Sequence, residues 1–84
     1  MSFSINPDMA ARLIDGCYYI VDPGNRMLHM LNDTGTYIYS ELKKGSEPET
    51  IIRGLCGEFE VSRGEAERDM EEFTEDLREK GILL

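Results

Sequence analysis

The sequence predicts an α+β fold in which a three-stranded antiparallel meander is followed by three helices. Two short apolar segments flank Asp15-Gly16, and a third follows the turn sequence Asp22-Pro23-Gly24-Asn25. From residue 32 onward, apolar residues recur at the spacing of three and four that is typical of helices. Because 84 residues are too few for two hydrophobic cores, we expect one domain over residues 1–84, with residues 1–10 poorly ordered.

Turn-forming residues separate the three predicted strands. Residues 11–14 and 17–21 are expected to form a hairpin, because Asp-Gly suits the two positive-φ positions of a tight turn. In the second turn, Pro23 fixes φ and Gly24 is expected to take a positive φ. The third strand is predicted over residues 27–31.

Capping residues mark the predicted helices. Asn32 or Asp33 can cap the first helix, whose inner stripe is Thr34, Ile38 and Leu42 and whose left-handed C-terminal residue is Gly45. Ser46-x-x-Glu49 and Ser62-x-x-Glu65 have the capping-box pattern and predict the starts of the second and third helices. The second helix has one apolar face, made of Ile51, Ile52, Leu55, Cys56 and Phe59.

The third helix has a narrow apolar stripe, and charged residues lie on both sides of it. The stripe consists of Ala66, Met70, Phe73 and Leu77, and the helix is expected to end at Gly81. Asp69, Asp76 and Lys80 lie on one flank of the stripe, and Arg63, Glu67 and Arg78 lie on the other. The apolar tail, residues 82–84, is expected to pack or to associate with another chain.

Charge and composition exclude several classes of protein. Residues 1–45 have a net charge of −1 and residues 46–84 have a net charge of −7, which disfavours nucleic acid as a partner. We expect no membrane span and no export signal, and hence a cytoplasmic protein whose two cysteines, Cys17 and Cys56, are buried thiols. A lone His29 with two distant cysteines falls short of a metal site, and no catalytic arrangement can be assembled. We therefore expect neither an enzyme nor a cofactor.

The third strand has the features of a binding edge. As the last strand of a meander it leaves backbone N–H and C=O groups unpaired, and residues 27–31 contain no Lys, Pro or carboxylate that would block another strand. Leu28 and Met30 are expected to point to one face, and Met27, His29 and Leu31 to the other.

Three segments resemble the PqqD family. Leu31-Asn32-Asp33-Thr34-Gly35-x-x-Ile38 is similar to the family's signature after a strand, and residues 45–59 resemble its second helix. The third segment, similar to the closing helix, is Asp69-Met70-x-x-Phe73-x-x-x-Leu77-x-x-x-Gly81-Ile82-Leu83. Together the matches cover about residues 11–84 in order.

The resemblance implies a winged-helix-like RiPP recognition element that needs no cofactor. Such a module binds the leader of a ribosomally made precursor peptide and presents it to a radical S-adenosylmethionine enzyme or another modifying enzyme, in pyrroloquinoline quinone or related biosynthesis. The family lays the leader antiparallel along the third strand, beside the third helix. The residues that we expect to bind peptide are Met27, Leu28, His29, Met30, Leu31, Asp69, Asp76 and Lys80, and the surplus of acidic residues predicts a leader with Lys or Arg.

Two other functions remain open from the sequence. The helix-turn-helix order suggests a winged-helix DNA-binding regulator, although residues 62–80 contain eight acidic and four basic residues, a net charge of −4. The bare edge and the apolar tail suggest a self-associating scaffold, and a homodimer that also binds leader.

Overall fold

The computed structural model describes residues 3–84 and contains the predicted order of three strands followed by three helices. The elements are β1 (Ala10–Ile14), β2 (Cys17–Asp22), β3 (Met27–Met30), α1 (Asp33–Lys44), α2 (Pro48–Phe59) and α3 (Arg63–Glu79). The strands form one antiparallel sheet in the order β1-β2-β3. The predicted fold class is therefore confirmed.

The two turns of the meander differ in how well they were predicted. Asp15 and Gly16 both have positive φ angles, 51° and 82°, as the predicted hairpin turn requires. In the second turn the positive φ falls on Arg26, at 54°, and the expectation for Gly24 was wrong. The Asp22 carboxylate determines this turn instead, because it accepts hydrogen bonds from the Gly24 and Asn25 N–H groups at 3.0 and 3.2 Å.

Thr36 joins the sheet to α1. The Tyr18 N–H donates to the Thr36 hydroxyl over 3.0 Å, and that hydroxyl donates to the Leu31 carbonyl over 3.5 Å. The Leu31 N–H in turn donates to the Tyr18 carbonyl over 2.9 Å. The hydroxyl thus continues the ladder between β2 and β3 at the point where the chain leaves the sheet. Asn32 caps α1, as predicted, by accepting from the Gly35 N–H at 2.8 Å.

The capping box predicted at Ser46 was wrong. The helix α2 begins at Pro48, its N-cap is Glu47, and no side chain caps it. Proline at the first helical position favours this boundary, because its φ suits a helix and its missing N–H would have no partner within the helix. The Ser46 hydroxyl donates to Glu41 instead, and Glu49 accepts two hydrogen bonds from Arg63 at 2.6 and 2.7 Å.

The third helix begins at the predicted cap, where the Ser62 hydroxyl accepts from the Glu65 N–H at 3.2 Å. Of its predicted stripe, Ala66, Met70 and Leu77 are buried and Phe73 is half-buried. The helix is followed by Gly81 with φ of 77°, after which the apolar tail turns back onto the domain.

The tail packs against the first residues of the chain. Ile82 and Leu83 are buried, the Asn6 N–H donates to the Ile82 carbonyl over 2.8 Å, and Ile5 forms an antiparallel bridge with Leu83. The sequence analysis expected residues 1–10 to be poorly ordered and did not foresee this pairing. Met1 and Ser2, which that expectation also covers, lie outside the described residues.

The three helices share one hydrophobic core with one face of the sheet, against which α1 packs directly. Ile20, on the central strand, is fully buried with residues of every helix in one core, which includes Ile38, Ile51 and Leu77. The other face has no helix over it, and Val21, Leu28 and Met30 remain 42%, 62% and 68% exposed there. We call this surface the open face of the sheet. Among residues 3–84, no helix has the length and apolar character needed to cross a membrane.

Replacing Thr36 with valine should destabilise the domain. The Tyr18 N–H would lose its acceptor in a largely buried position, which costs about 1–3 kcal/mol. Thr36→Ser keeps the hydroxyl and is the matched control. Urea denaturation of the two variants checks this, and equal stabilities would show that the hydroxyl does not contribute.

The ion pair of Glu49 should stabilise the fold only above acidic pH. Hydrogen bonds from Arg63 lower the pKa of Glu49 from 4.5 to about 2, so its contribution is complete above pH 4.5 and is lost as the pH falls toward 2. Glu49→Gln should therefore lower the melting temperature at neutral pH but not at about pH 2. The effect should be small and salt-sensitive, because both side chains are about half exposed. Glu58→Gln, which removes an exposed acid without a cation partner among residues 3–84, should not show this pH dependence.

Candidate functional site at the third strand and third helix

The outer edge of β3 is unpaired among residues 3–84. Its only strand partner is β2, with the register Tyr19–Met30, Ile20–His29, Val21–Leu28 and Asp22–Met27. The Leu31 N–H bonds to β2. Because successive residues of a strand point their N–H and C=O groups to opposite sides, the backbone groups of His29 and Met27 also point toward β2. The N–H and C=O groups of Leu28 and Met30 therefore point outward, where a further strand could pair with them.

The opposite edge of the sheet is less suited to pairing. It belongs to β1, which has Arg12 at its centre. A charged residue on an edge strand disfavours the addition of another strand, and β3 contains none. Of the two edges, β3 is the better acceptor.

Three cavities lie along α3 and the residues that follow it, and one of them is also lined by β3. A cavity of about 320 Å³ at one end is lined by residues at the start of α1 and by Asp69, Glu72, Phe73 and Asp76 of α3. A second cavity, of about 340 Å³, lies between Met27 and His29 of β3 and Glu79 and Lys80. A third, of about 290 Å³, adjoins the second because both contact Lys80, Asp22 and Asn25. We call this series of cavities the groove.

The flank of α3 that carries Asp69, Asp76 and Lys80 lines the groove. Asp69 and Asp76 lie at the first cavity and Lys80 lies at the other two. The opposite flank makes contacts within the domain, since Arg63 binds Glu49 of α2 and the Arg78 guanidinium lies 5.4 Å from the centre of the Phe3 ring. The two flanks that the sequence left as alternatives thus face different surroundings.

The predicted residues of β3 divide between two surfaces. Met27 and His29 line the groove, whereas Leu28 and Met30 lie on the open face, as the alternation predicted. Leu31 is only 7% exposed, and its N–H and C=O already bond to Tyr18 and Thr36. Leu31 therefore supports the site from within the core.

Several residues of the groove were not predicted as site residues. In the first and second cavities they are Asp22, Asn25, Asn32, Thr34, Gly35, Ile38, Glu72, Phe73 and Glu79. Helical spacing from Asp69 could have found Glu72 and Phe73, which follow it by three and four residues.

Gly35 is necessary where α1 meets α3. A β-carbon at this position would lie 2.9 Å from a ring carbon of Phe73, which is too close for ordinary contact. The missing side chain allows Phe73 to approach α1 and to form part of the wall of the first cavity.

The carboxylates of the groove differ in how far they are neutralised. Asp76 forms an ion pair with Lys80 at 2.7 Å, whereas Asp69 and Glu72 have no cation within ion-pair distance among residues 3–84. Hydrogen bonds from the Asn25 side chain and backbone lower the pKa of Asp22, and electrostatic interaction with His29 lowers it slightly further. The first cavity therefore has the unneutralised negative charge. The part of the chain described here contains no cluster of metal-binding side chains.

Comparison with known proteins places the chain in a family. Residues 17–83 match the sequence model of the protein family described as coenzyme PQQ synthesis protein D (PqqD). The chain belongs to the PqqD family. No curated protein sequence matches it.

Two solved structures share the whole fold. One is described as lasso peptide synthetase B1 complexed with the leader peptide; it is 30% identical, with a TM-score of 0.92 over 100% of this chain and 99% of that chain. The other is described as TbiB1 in complex with the TbiA(beta) leader peptide; it is 29% identical, with a TM-score of 0.89 over 95% of this chain and 93% of that chain.

Proposed function

We propose that this domain is a non-catalytic recognition element that binds the leader of a ribosomally made precursor peptide by adding it as a fourth strand to the sheet. The observation that supports this most directly is the unpaired edge of β3 beside the groove of α3. An added strand gains main-chain hydrogen bonds from Leu28 and Met30, and the side chains on both faces supply selectivity. The two structural relatives, both complexes with leader peptides, support the same function.

The domain would deliver the bound precursor to an enzyme that modifies it. The sequence suggested a radical S-adenosylmethionine enzyme in pyrroloquinoline quinone or related biosynthesis. Similarity to a lasso peptide synthetase component over the full chain favours lasso-peptide maturation among the related pathways. In this proposal the domain supplies affinity and the partner enzyme supplies the chemistry. Nothing in the structure or among the relatives favours the DNA-binding alternative.

Self-association remains a prediction. Leader binding would oppose it if both use the same edge of β3. A second copy could use the same edge of β3, in which case added leader should dissociate the dimer. Light scattering over a dilution series, with and without leader, separates a dimer that competes with leader from one that does not.

Titration with the leader encoded beside this chain should shift the amide signals of β3 and of α3 together. Leu28→Asp or Met30→Asp should abolish binding without unfolding the domain, because each places a charge on the open face next to the added strand. Ile14→Asp is a matched control, since Ile14 is 48% exposed on the same face but belongs to β1. Shifts confined to other regions, or none at all, would contradict the proposed function.

Removal of the outward N–H group of Met30 should weaken leader binding. Proline is tolerated on an edge strand where its N–H would face outward, so Met30→Pro should fold while losing one main-chain hydrogen bond. That bond is worth about 0.5–1.5 kcal/mol, or roughly a twofold to twelvefold change in the dissociation constant. Met30→Ala, which keeps the N–H, is the control. Equal affinities of the two variants would argue against strand addition at this edge.

A further inference from the structure

The register of β3 determines which side chains of an added strand would face α3. The outward backbone groups belong to Leu28 and Met30, so leader residues opposite these two exchange both main-chain hydrogen bonds with them. Directly opposite residues in a sheet point to the same face. Those leader residues therefore lie on the open face, and the ones opposite His29 and Leu31 face the groove.

The two faces offer different chemistry to those side chains. On the open face, Leu28 and Met30 are 62% and 68% exposed, and their partners in β2 are Val21 and Tyr19. On the groove side, the first cavity is lined by Asp69 and Glu72 together with the half-buried Phe73. Lys80, the basic residue on the same flank, is already paired with Asp76.

The direction of the added strand determines which end of the leader lies at this cavity. Antiparallel pairing continues the pattern of the existing sheet and is slightly more stable than parallel pairing. A strand that runs opposite to β3 begins beside Leu31 and Asn32, and Asn32 lines the first cavity. The N-terminal part of the bound segment therefore meets Asp69 and Glu72.

We infer that the segment bound here has the order base, apolar, any residue, apolar, with Lys or Arg at the position opposite Leu31. Its basic side chain lies in the first cavity, with its methylene stem along Phe73 and its charge beside Asp69 and Glu72. The two apolar side chains extend the open face beside Met30 and Leu28. This inference rests on the proposed function and specifies the class of leader that the site selects.

Three synthetic peptides of equal composition test the inference, each flanked by Gly-Ser and Ser-Gly. The first has Lys-Val-Thr-Val-Thr, the second has Lys-Thr-Val-Thr-Val, with lysine and valines on one face, and the third has Thr-Val-Thr-Val-Lys, with the base last. NMR titration should show that the first binds about threefold to tenfold more tightly than either of the others, near the upper range expected for an exposed ion pair together with apolar contact.

Two protein variants assign the effect to the first cavity. The double variant Asp69→Asn with Glu72→Gln should lose the preference for the first peptide over the third, whereas Glu71→Gln, which removes an exposed acid of α3 outside the cavity, should retain it. Equal binding of the three peptides, no binding of any, or a preference for the first peptide over the third that persists in the double variant would overturn the inference. If the encoded leader still shifts the amide signals of β3 in those cases, the proposed function remains supported. If those shifts are lost as well, both the proposed function and this inference are rejected.

Discussion

The hydroxyl of Thr36 is the interaction on which the site depends most. This hydroxyl accepts a hydrogen bond from the Tyr18 N–H of β2 and donates one to the Leu31 carbonyl just after β3. Thr36 itself is the fourth residue of α1. The chain can therefore leave β3 and enter a helix almost at once without leaving unpaired backbone groups in the core. Because α1 starts there, Gly35 lies against Phe73 of α3. One small side chain thus links the end of β3 to the part of α1 that contacts the wall of the groove.

Much of the fold could be predicted because it follows from local chemistry. Asp15-Gly16, Asn32 and Ser62 each determine a turn or a cap through their own backbone or side chain, and all three were predicted correctly. The errors arose where a neighbour competes. Pro48 displaced the expected cap at Ser46, and the Asp22 carboxylate organised a turn that was attributed to Gly24.

The candidate site was predicted only in part, for a physical reason. Strand alternation and helical spacing determine which side chains share a face, so the division of β3 and the membership of the two flanks of α3 followed from the sequence. Which flank lines the groove was left open. Contacts between elements distant in the chain do not follow from such patterns. Gly35 beside Phe73, Asn25 in the groove and the burial of Leu31 all depend on how α1, α3 and the turn after β2 pack together.

The net negative charge of the chain bears on which molecules can approach the open edge of β3. An unprotected, apolar strand edge is a template for association with other copies as much as for a peptide. A net charge of −8 on each copy opposes the approach of a second copy and favours the approach of a basic peptide. Under the proposed function, the unneutralised carboxylates at the first cavity would add local selectivity to that long-range preference. Lysine on the edge strand would repel a basic leader, whereas β3 contains no charged residue and the acidic residues lie on α3, so the edge would stay available to such a peptide.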